Sequence, residues 1–205
     1  MMGLVTQYNI GSQAGKTIQV PKYPAIGAVD LTEGTDMSST TVSTTSVSVT
    51  VGEVGAQVVL TDLATMGAGN PAVELGTVLG NAIATKMDKD LLGLFTGFSS
   101  GLGAAGQEIT VADLFKAAAT LRANKVTGAI AAVVHPFVAY QLKANLTNTF
   151  ANPNGGDSQN EAMRNAYVGQ IAGMNIYESA NIVVDGDGDS IGAVFAPEAL
   201  AIALK

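Results

Sequence analysis

The sequence predicts an α+β fold in which an extended β arm precedes a long helix and a mixed α/β unit. Three observations carry this reading. The stretch "SSTTVSTTSVSVTV", residues 38–51, alternates in a β period and holds no charged, aromatic, His or Cys side chain. The stretch "NPAVELGTVLGNAIATKMDKDLLGLF", residues 70–95, repeats apolar residues at helical spacing. The last third alternates helical segments with short apolar runs bounded by Gly, Asn and Asp.

The first strand is "GKTIQVPKYP", residues 15–24. Ile18 and Val20 fall on one side, Thr17 and Gln19 on the other. Pro21 and Pro24 lack an N–H, so the segment cannot continue as a central strand. "DLTEGTDMSS" is acidic, hydroxyl-rich and Gly-bearing, which predicts an exposed loop tip. In the stretch that follows, Val47, Val49 and Val51 share one face while Ser46, Ser48 and Thr50 share the other. Val42 is out of phase with the valines, which predicts a bulge near Ser43–Thr45. "AQVVLTDLA", residues 56–64, predicts the returning strand. The whole forms a β-hairpin over roughly residues 17–60. A lone hairpin of this kind is marginal in water, and its open edges invite pairing. Such an arm makes sense if it lies on another copy of the chain.

Residues 70–95 predict one helix on the order of 39 Å long at 1.5 Å per residue. Asn70 suits the N-cap and Pro71 the first turn. Leu75, Leu79, Ala82, Ile83, Met87, Leu91, Leu94 and Phe95 form its apolar side. Gly76 and Gly80 each weaken it by roughly 1 kcal/mol relative to Ala but permit close approach of another backbone. "ITVADLFKAAATLRANK" predicts a second helix. Thr110 and Asp113 start it as a capping box, and Leu114, Ala117, Ala118 and Leu121 line its inner face. "GAIAAVVHP" reads as a buried strand, and Pro136 opens the helix "PFVAYQLKANL". "AYVGQIAGMNIYES" predicts two strands about a turn at Gly173. "NIVVDGDGDSIGAVFAP" predicts a hairpin turning at "DGDGDS".

Composition narrows the function. The chain has 205 residues, 47% hydrophobic and 13% charged, enough for a packed core. Aromatics are only 5%, so that core is aliphatic and buries less area per residue, leaving stability to be drawn from neighbours. The net charge of −7 argues against sequence-independent nucleic-acid binding. With no Cys, neither a disulfide framework nor a Cys-based zinc site is possible. There is no apolar run of about 18 residues and no signal-peptide pattern near the start. The glycines follow no fixed period, so no solenoid is predicted.

Several motifs suggest chemistry that their contexts do not support. "GLGAAG", residues 101–106, fits the dinucleotide fingerprint. A helix precedes it, a strand-like "QEIT" follows it, and no acid lies near residue 126, so a connector is predicted. "DGDGD", residues 185–189, offers alternating carboxylates, but it lacks the downstream bidentate Glu of a calcium loop and reads as a hairpin turn. His135 is the sole His. Without a Cys or an evident nucleophile beside it, it is assigned packing or capping. Asp88 and Asp90 read as a solvated helix face, and Asp185 and Asp187 as part of the turn. No catalytic, cofactor or metal residue is proposed.

The order of the pieces is more specific than any one of them. It runs "GKTIQVP", the acidic-tipped hairpin, "LTDLA", "NAIATKMDKDLL", the "VVHP" strand end, "YQL", "VGQIAGMNIYES" and "AVFAPEALAIALK". This order resembles the major capsid protein of tailed double-stranded DNA bacteriophages, with the fold named after phage Hong Kong 97, over essentially the whole chain. The resemblance implies an N-terminal remnant and first peripheral strand at 1–21 and an extended loop at 22–56. It implies a peripheral domain at 57–108 around a spine helix at about 70–95, and from 109 to 205 an axial domain and a return toward the peripheral domain. It implies self-assembly into pentamers and hexamers of an icosahedral head in the virion, assembled in the host cytoplasm. Portal, scaffolding and cement or decoration proteins would be partners. Double-stranded DNA would be enclosed without sequence-specific binding, and no membrane or cofactor would be involved. Val47, Val49, Val51, Lys22, Glu33 and Asp36 become candidate intersubunit contacts. Some members cross-link through a Lys on this loop. Lys22 is the only one here, and no partner is evident, so that chemistry is not carried over. Members also carry a longer N-terminal arm and run on past "ALAIALK", so the chain reads as a truncated or minimal member.

An encapsulin shell of the same fold is the nearest alternative. A β-rich adhesin or carbohydrate-binding module would explain the Ser/Thr hairpin but not the long helix or the scarcity of aromatic rings. An enzyme is the weakest reading, for want of a catalytic constellation.

Overall fold

The computed structural model describes residues 1–11, 15–37, 39, 41–61, 66, 71–150 and 170–205. In chain order its longer elements are β1 (Thr6–Asn9), β2 (Thr17–Lys22), β3 (Thr45–Thr50), α1 (Pro71–Gly93) and α2 (Val111–Ala123). There follow β4 (Ala131–Val134), α3 (Pro136–Phe150), β5 (Gln170–Ile171), β6 (Met174–Glu178), β7 (Ala193–Phe195) and β8 (Ala201–Leu204). The chain divides into two compact units. One comprises Met1–Thr6 with Val54–Ala201, the other Gln7–Glu53 with Ile202–Lys205.

The larger unit is built on a mixed sheet in the order β5-β6-β4-β7. β4 runs parallel to β6 and antiparallel to β7. Flanked on both sides, all four residues of β4 are buried, which is why its sequence is an unbroken apolar run rather than an alternation. Leu114 and Ala118 of α2, Leu142 of α3, and Ile130, Ile171 and Met174 form the aliphatic core against it. The β5–β6 hairpin turns through Ala172 and Gly173, with φ of 52° and 73°, the left-handed pair that a tight two-residue loop needs.

Local chemistry delimits α2 at both ends. Thr110 and Asp113 form the predicted capping box, the Asp113 carboxylate accepting from Thr110 N at 2.9 Å. At the other end Val126 N donates to Leu121 O and Lys125 N to Arg122 O, with Lys125 left-handed at φ 63°. This is a Schellman closure with Lys where Gly is usual.

α1 is buried mainly at its C-terminal end. Leu91, Leu92 and Phe95 are buried there, and Phe95, Phe98 and Phe195 meet with ring centroids 5.7–6.3 Å apart. One turn earlier Asp88 accepts from Asn181 Nδ2 at 2.9 Å and Ser179 Oγ at 3.2 Å, and pairs with the Met1 amine at 3.0 Å. Burial pushes this carboxyl upward and is the largest single influence. The bonds from Asn181, the amine and Ser179 together outweigh it and hold the group below the usual carboxylate range.

The structure corrects several expectations. The hairpin ladder is not forty residues long: it pairs only Thr17–Lys22 with Thr45–Thr50, in unbroken register and with no bulge at Ser43–Thr45. Val42 is out of phase because it precedes the strand. Residues 56–61 form no strand, and residues 62–64 lie outside the described residues, as does the expected Asn70 cap. Ala82 and Leu94 are exposed rather than on the buried side of α1. Asp88 is no solvated face, whereas Asp90 is exposed and pairs with Lys86 along the helix. "NIVV" is not a strand; a single bridge, Val184–Ser190, closes the acidic turn. "QEIT" is the approach to α2, not a strand.

Two outcomes follow. A Cβ at Gly192 would lie 2.8 Å from Val133 O, so Gly192→Ala forces β7 away from β4 and should cost roughly 1–3 kcal/mol in chemical denaturation. Asp88→Ala should cost about 1–3 kcal/mol at neutral pH. Because the folded carboxyl titrates below its unfolded counterpart, that stability is present above about pH 4 and lost as pH falls through the folded value. The gap between wild type and Asp88→Ala in urea melts should therefore narrow toward acid.

Candidate assembly surface

The smaller unit holds the two-stranded ribbon β2–β3 and, apart from Thr6 and Ala201, the ribbon β1–β8. In β2–β3 the cross-strand partners are Ile18–Val49, Val20–Val47 and Lys22–Thr45 on one face. Thr17–Thr50, Gln19–Ser48 and Pro21–Ser46 occupy the other. Val51 N donates to Lys16 O at 2.8 Å and carries the pairing one step further. One face is thus a strip of Ile18, Val20, Val47, Val49 and Val51 with Lys16 and Lys22 at its ends. The other is uncharged and hydroxyl-rich, with Thr17 and Thr50 Oγ1 atoms 3.0 Å apart. Pro21 is tolerated inside the ladder because both strands of a two-stranded ribbon are edges.

The strip is incompletely covered. Ile18, Val20, Val49 and Val51 are half-buried, and Val47 keeps 57% of its surface. Burying such a side chain fully is worth roughly 1.5–3 kcal/mol. The Lys16–Glu53 pair at 3.0 Å is open to solvent on both partners and adds little. Beyond the ladder, Tyr23, Ile26, Val29, Leu31 and Met37 expose about two-thirds of their surface or more in a segment without regular structure. A turn at Thr32–Thr35, with Gly34 at φ 83°, carries Glu33, and Asp36 follows it.

Of the six candidate contacts, the ladder brings Val47 and Val49 together, with Val51 and Lys22 at opposite ends of the same face. Glu33 and Asp36 lie apart from the ladder at the exposed tip. Ile18 and Val20 complete the strip and were not among the candidates. Their alternation was visible in the sequence, but only the register shows that they sit opposite the valines. On α1, an added Cβ at Gly76 or Gly80 meets nothing within 4 Å, and Val73 and Val78 are exposed. The close approach those glycines permit is therefore not used among the described residues.

The motifs with chemical overtones are absorbed by backbone hydrogen bonding. Asp185 Oδ1 accepts from Asp187 N at 3.0 Å and Asp189 N at 2.8 Å, and Asp185 N donates to Asp189 O at 2.9 Å. Asp189 Oδ2 accepts from Gly106 N at 2.7 Å, so the acidic turn holds the end of the "GLGAAG" loop. His135 Nδ1 accepts from Phe137 N at 3.3 Å. Among the described residues no group of three His, Cys, Asp or Glu is placed to hold a metal ion, and no helix is long and apolar enough to cross a membrane.

No family model and no curated protein matches the sequence. Solved structures do. A chain of the capsid of cyanophage P-SCSP1u superposes with a TM-score of 0.71 at 17% identity, covering 98% of this chain and 73% of that one. A chain of the mature capsid of bacteriophage PhiM1 gives 0.63 at 18% identity, covering 96% and 71%. A chain from Mycobacterium phage Che8 gives 0.71 at 20%, covering 93% and 71%. The protein thus has the fold of these phage capsid chains, the α+β fold of the Hong Kong 97 type.

Since Val47 is exposed on its ribbon, Val47→Asp should leave the isolated chain folded. Its unfolding free energy should stay within about 0.5 kcal/mol of wild type, measured by circular dichroism in denaturant.

Proposed function

We propose that the chain is a structural capsid subunit that assembles with copies of itself into the icosahedral head of a tailed double-stranded DNA bacteriophage. The observation that carries this is the conjunction of the capsid fold with an uncovered Ile/Val strip on a two-stranded arm. In this reading residues 22–56 are the extended loop, α1 is the spine helix, and the mixed sheet belongs to the axial domain. Pentamers and hexamers would close the shell, with portal, scaffolding and cement or decoration proteins as further partners. Assembly would take place in the host cytoplasm and the product would reside in the virion. The role is structural rather than enzymatic. The net charge of −7 suits a wall that faces packed DNA without holding it.

An encapsulin shell would share the fold, but the similar structures reported above come from phages. An adhesin or carbohydrate-binding module has no support in them.

Electron microscopy of the purified protein tests the proposal. Wild type should form closed shells of ring-like capsomers, and a monomer dispersed under all solution conditions would refute it. In the same assay Val47→Asp should abolish shells, since burying an unpaired carboxylate at each copy costs several kcal/mol. Ser48→Asp, on the hydroxyl face, should assemble to a greater extent than Val47→Asp. Equal assembly by both variants would remove the strip from the interface.

A further inference from the structure

We propose that the acidic tip of the loop between β2 and β3, residues 23–37, docks on the outer face of α2 of a second copy, around Phe115 and Lys116. This rests on the assembly reading above and names the surface that receives the tip. Its starting point is that the chain segregates its charge. Residues 23–85 hold Asp30, Glu33, Asp36, Glu53, Asp62 and Glu74 but no Lys or Arg. Residues 114–156 hold Lys116, Arg122, Lys125 and Lys143 but only one carboxylate-free run, with no Asp or Glu anywhere in it.

Both blocks reach the surface beside exposed apolar side chains. In the tip Asp30, Glu33 and Asp36 are exposed and interleaved with Val29, Leu31 and Met37. The turn Thr32–Thr35 sets Glu33 between the two Asp residues. On α2, Leu114, Ala117 and Ala118 are buried, which turns Phe115 and Ala119, one helical turn apart, outward. Phe115 keeps 56% of its surface. Lys116, three positions before Ala119, borders this patch, and Arg122 and Lys125 follow at the end of the helix, all exposed. Arg122 Nη1 donates to the carbonyls of Val126 and Gly128, which fixes the guanidinium and leaves it further N–H donors. Lys143 is already paired with Glu178. Among the described residues none of Asp30, Glu33, Asp36, Lys116, Arg122 and Lys125 is in an ion pair.

The tip is thus apolar and acidic, and the outer face of α2 apolar and basic. In such a contact the apolar area supplies affinity, while the charges speed encounter, set register and reject like-signed surfaces. Tip against tip, or α2 against α2, would oppose like charges. Tip against α2 joins two different patches of one chain, a head-to-tail contact of the kind that closes copies into rings. The lysines of α1 suit the tip less well. Lys86 pairs with Asp90, and Lys89 stands between Asp88 and Asp90 in the sequence.

The chain has no Cys, so single Cys substitutions report without background. Chains carrying Thr35→Cys are mixed with differently tagged chains carrying Ala119→Cys, assembled, and treated with a short bis-maleimide. A linked pair of the two tags should form. Replacing Ala119→Cys by Ala84→Cys, at an exposed position of α1, should give little of it. In light scattering at low salt, Lys116→Glu and Glu33→Lys should each slow assembly about tenfold, and the chain carrying both should regain most of the wild-type rate. Added salt should slow wild type toward the single variants. Shells that form at the wild-type rate from Lys116→Glu, without linkage to Ala119→Cys, would overturn the docking and leave the assembly reading standing. Linkage confined to a single chain carrying both Cys substitutions, or to Ala84→Cys, would overturn it equally. A wild type that forms no shells would refute the assembly reading, and the docking with it.

Discussion

A two-stranded ribbon satisfies its inner backbone groups but by itself covers neither its outer edges nor its faces. The arm β2–β3 is built under that constraint, and its sequence makes sense only in its light. The register is unbroken from Thr17–Thr50 to Lys22–Thr45, so the side chains sort into two faces. One is hydroxyl-rich and tolerates water. The other is aliphatic and retains exposed surface that its own ribbon cannot remove. Absence of charge along 38–51 suits the proposed role, in which this surface desolvates against another copy without burying an unpaired ion.

The larger unit solves the same problem internally. β4 has a strand on each side and helices packed against the sheet, so its short Ala and Val side chains are all buried. Small residues set the spacing: β7 approaches β4 at Gly192 more closely than any Cβ would allow. Aromatic mass is concentrated where the C-terminal end of α1 meets β7, with Phe95, Phe98 and Phe195 in mutual contact. Asp88 adds a polar tie from the same helix to the loop after β6. The buried part of α1 is therefore anchored, while at Gly76 and Gly80 in its N-terminal turns no described residue comes within 4 Å of an added Cβ.

The motifs that looked chemical share one explanation. Carboxylates, Gly amides and an imidazole are also the groups that close turns and cap helices. Asp185 accepts the amides of its own turn, Asp189 accepts Gly106 N, and His135 accepts Phe137 N. In a fold whose proposed work is contact between copies, such groups serve geometry.

The sequence by itself determined the elements whose signals are local. The capping box at Thr110–Asp113, the long helix after Pro71, the apolar run of β4, the tight turn at Gly173 and the alternation at Val47, Val49 and Val51 were all legible, because periodicity and capping depend on residues within a few positions of one another. The aliphatic face of the ladder was legible only in part, since the alternation identified the valines without their cross-strand partners Ile18 and Val20. The tertiary structure alone decided what depends on distant residues. It set where the ladder stops, that 56–61 is not a strand, that β4 lies between β6 and β7, and that Asp88 meets Asn181 across 93 positions. The physical reason is that a strand is defined by the backbone that pairs with it, and a side chain's burial by what packs over it. Neither is a property of the segment alone.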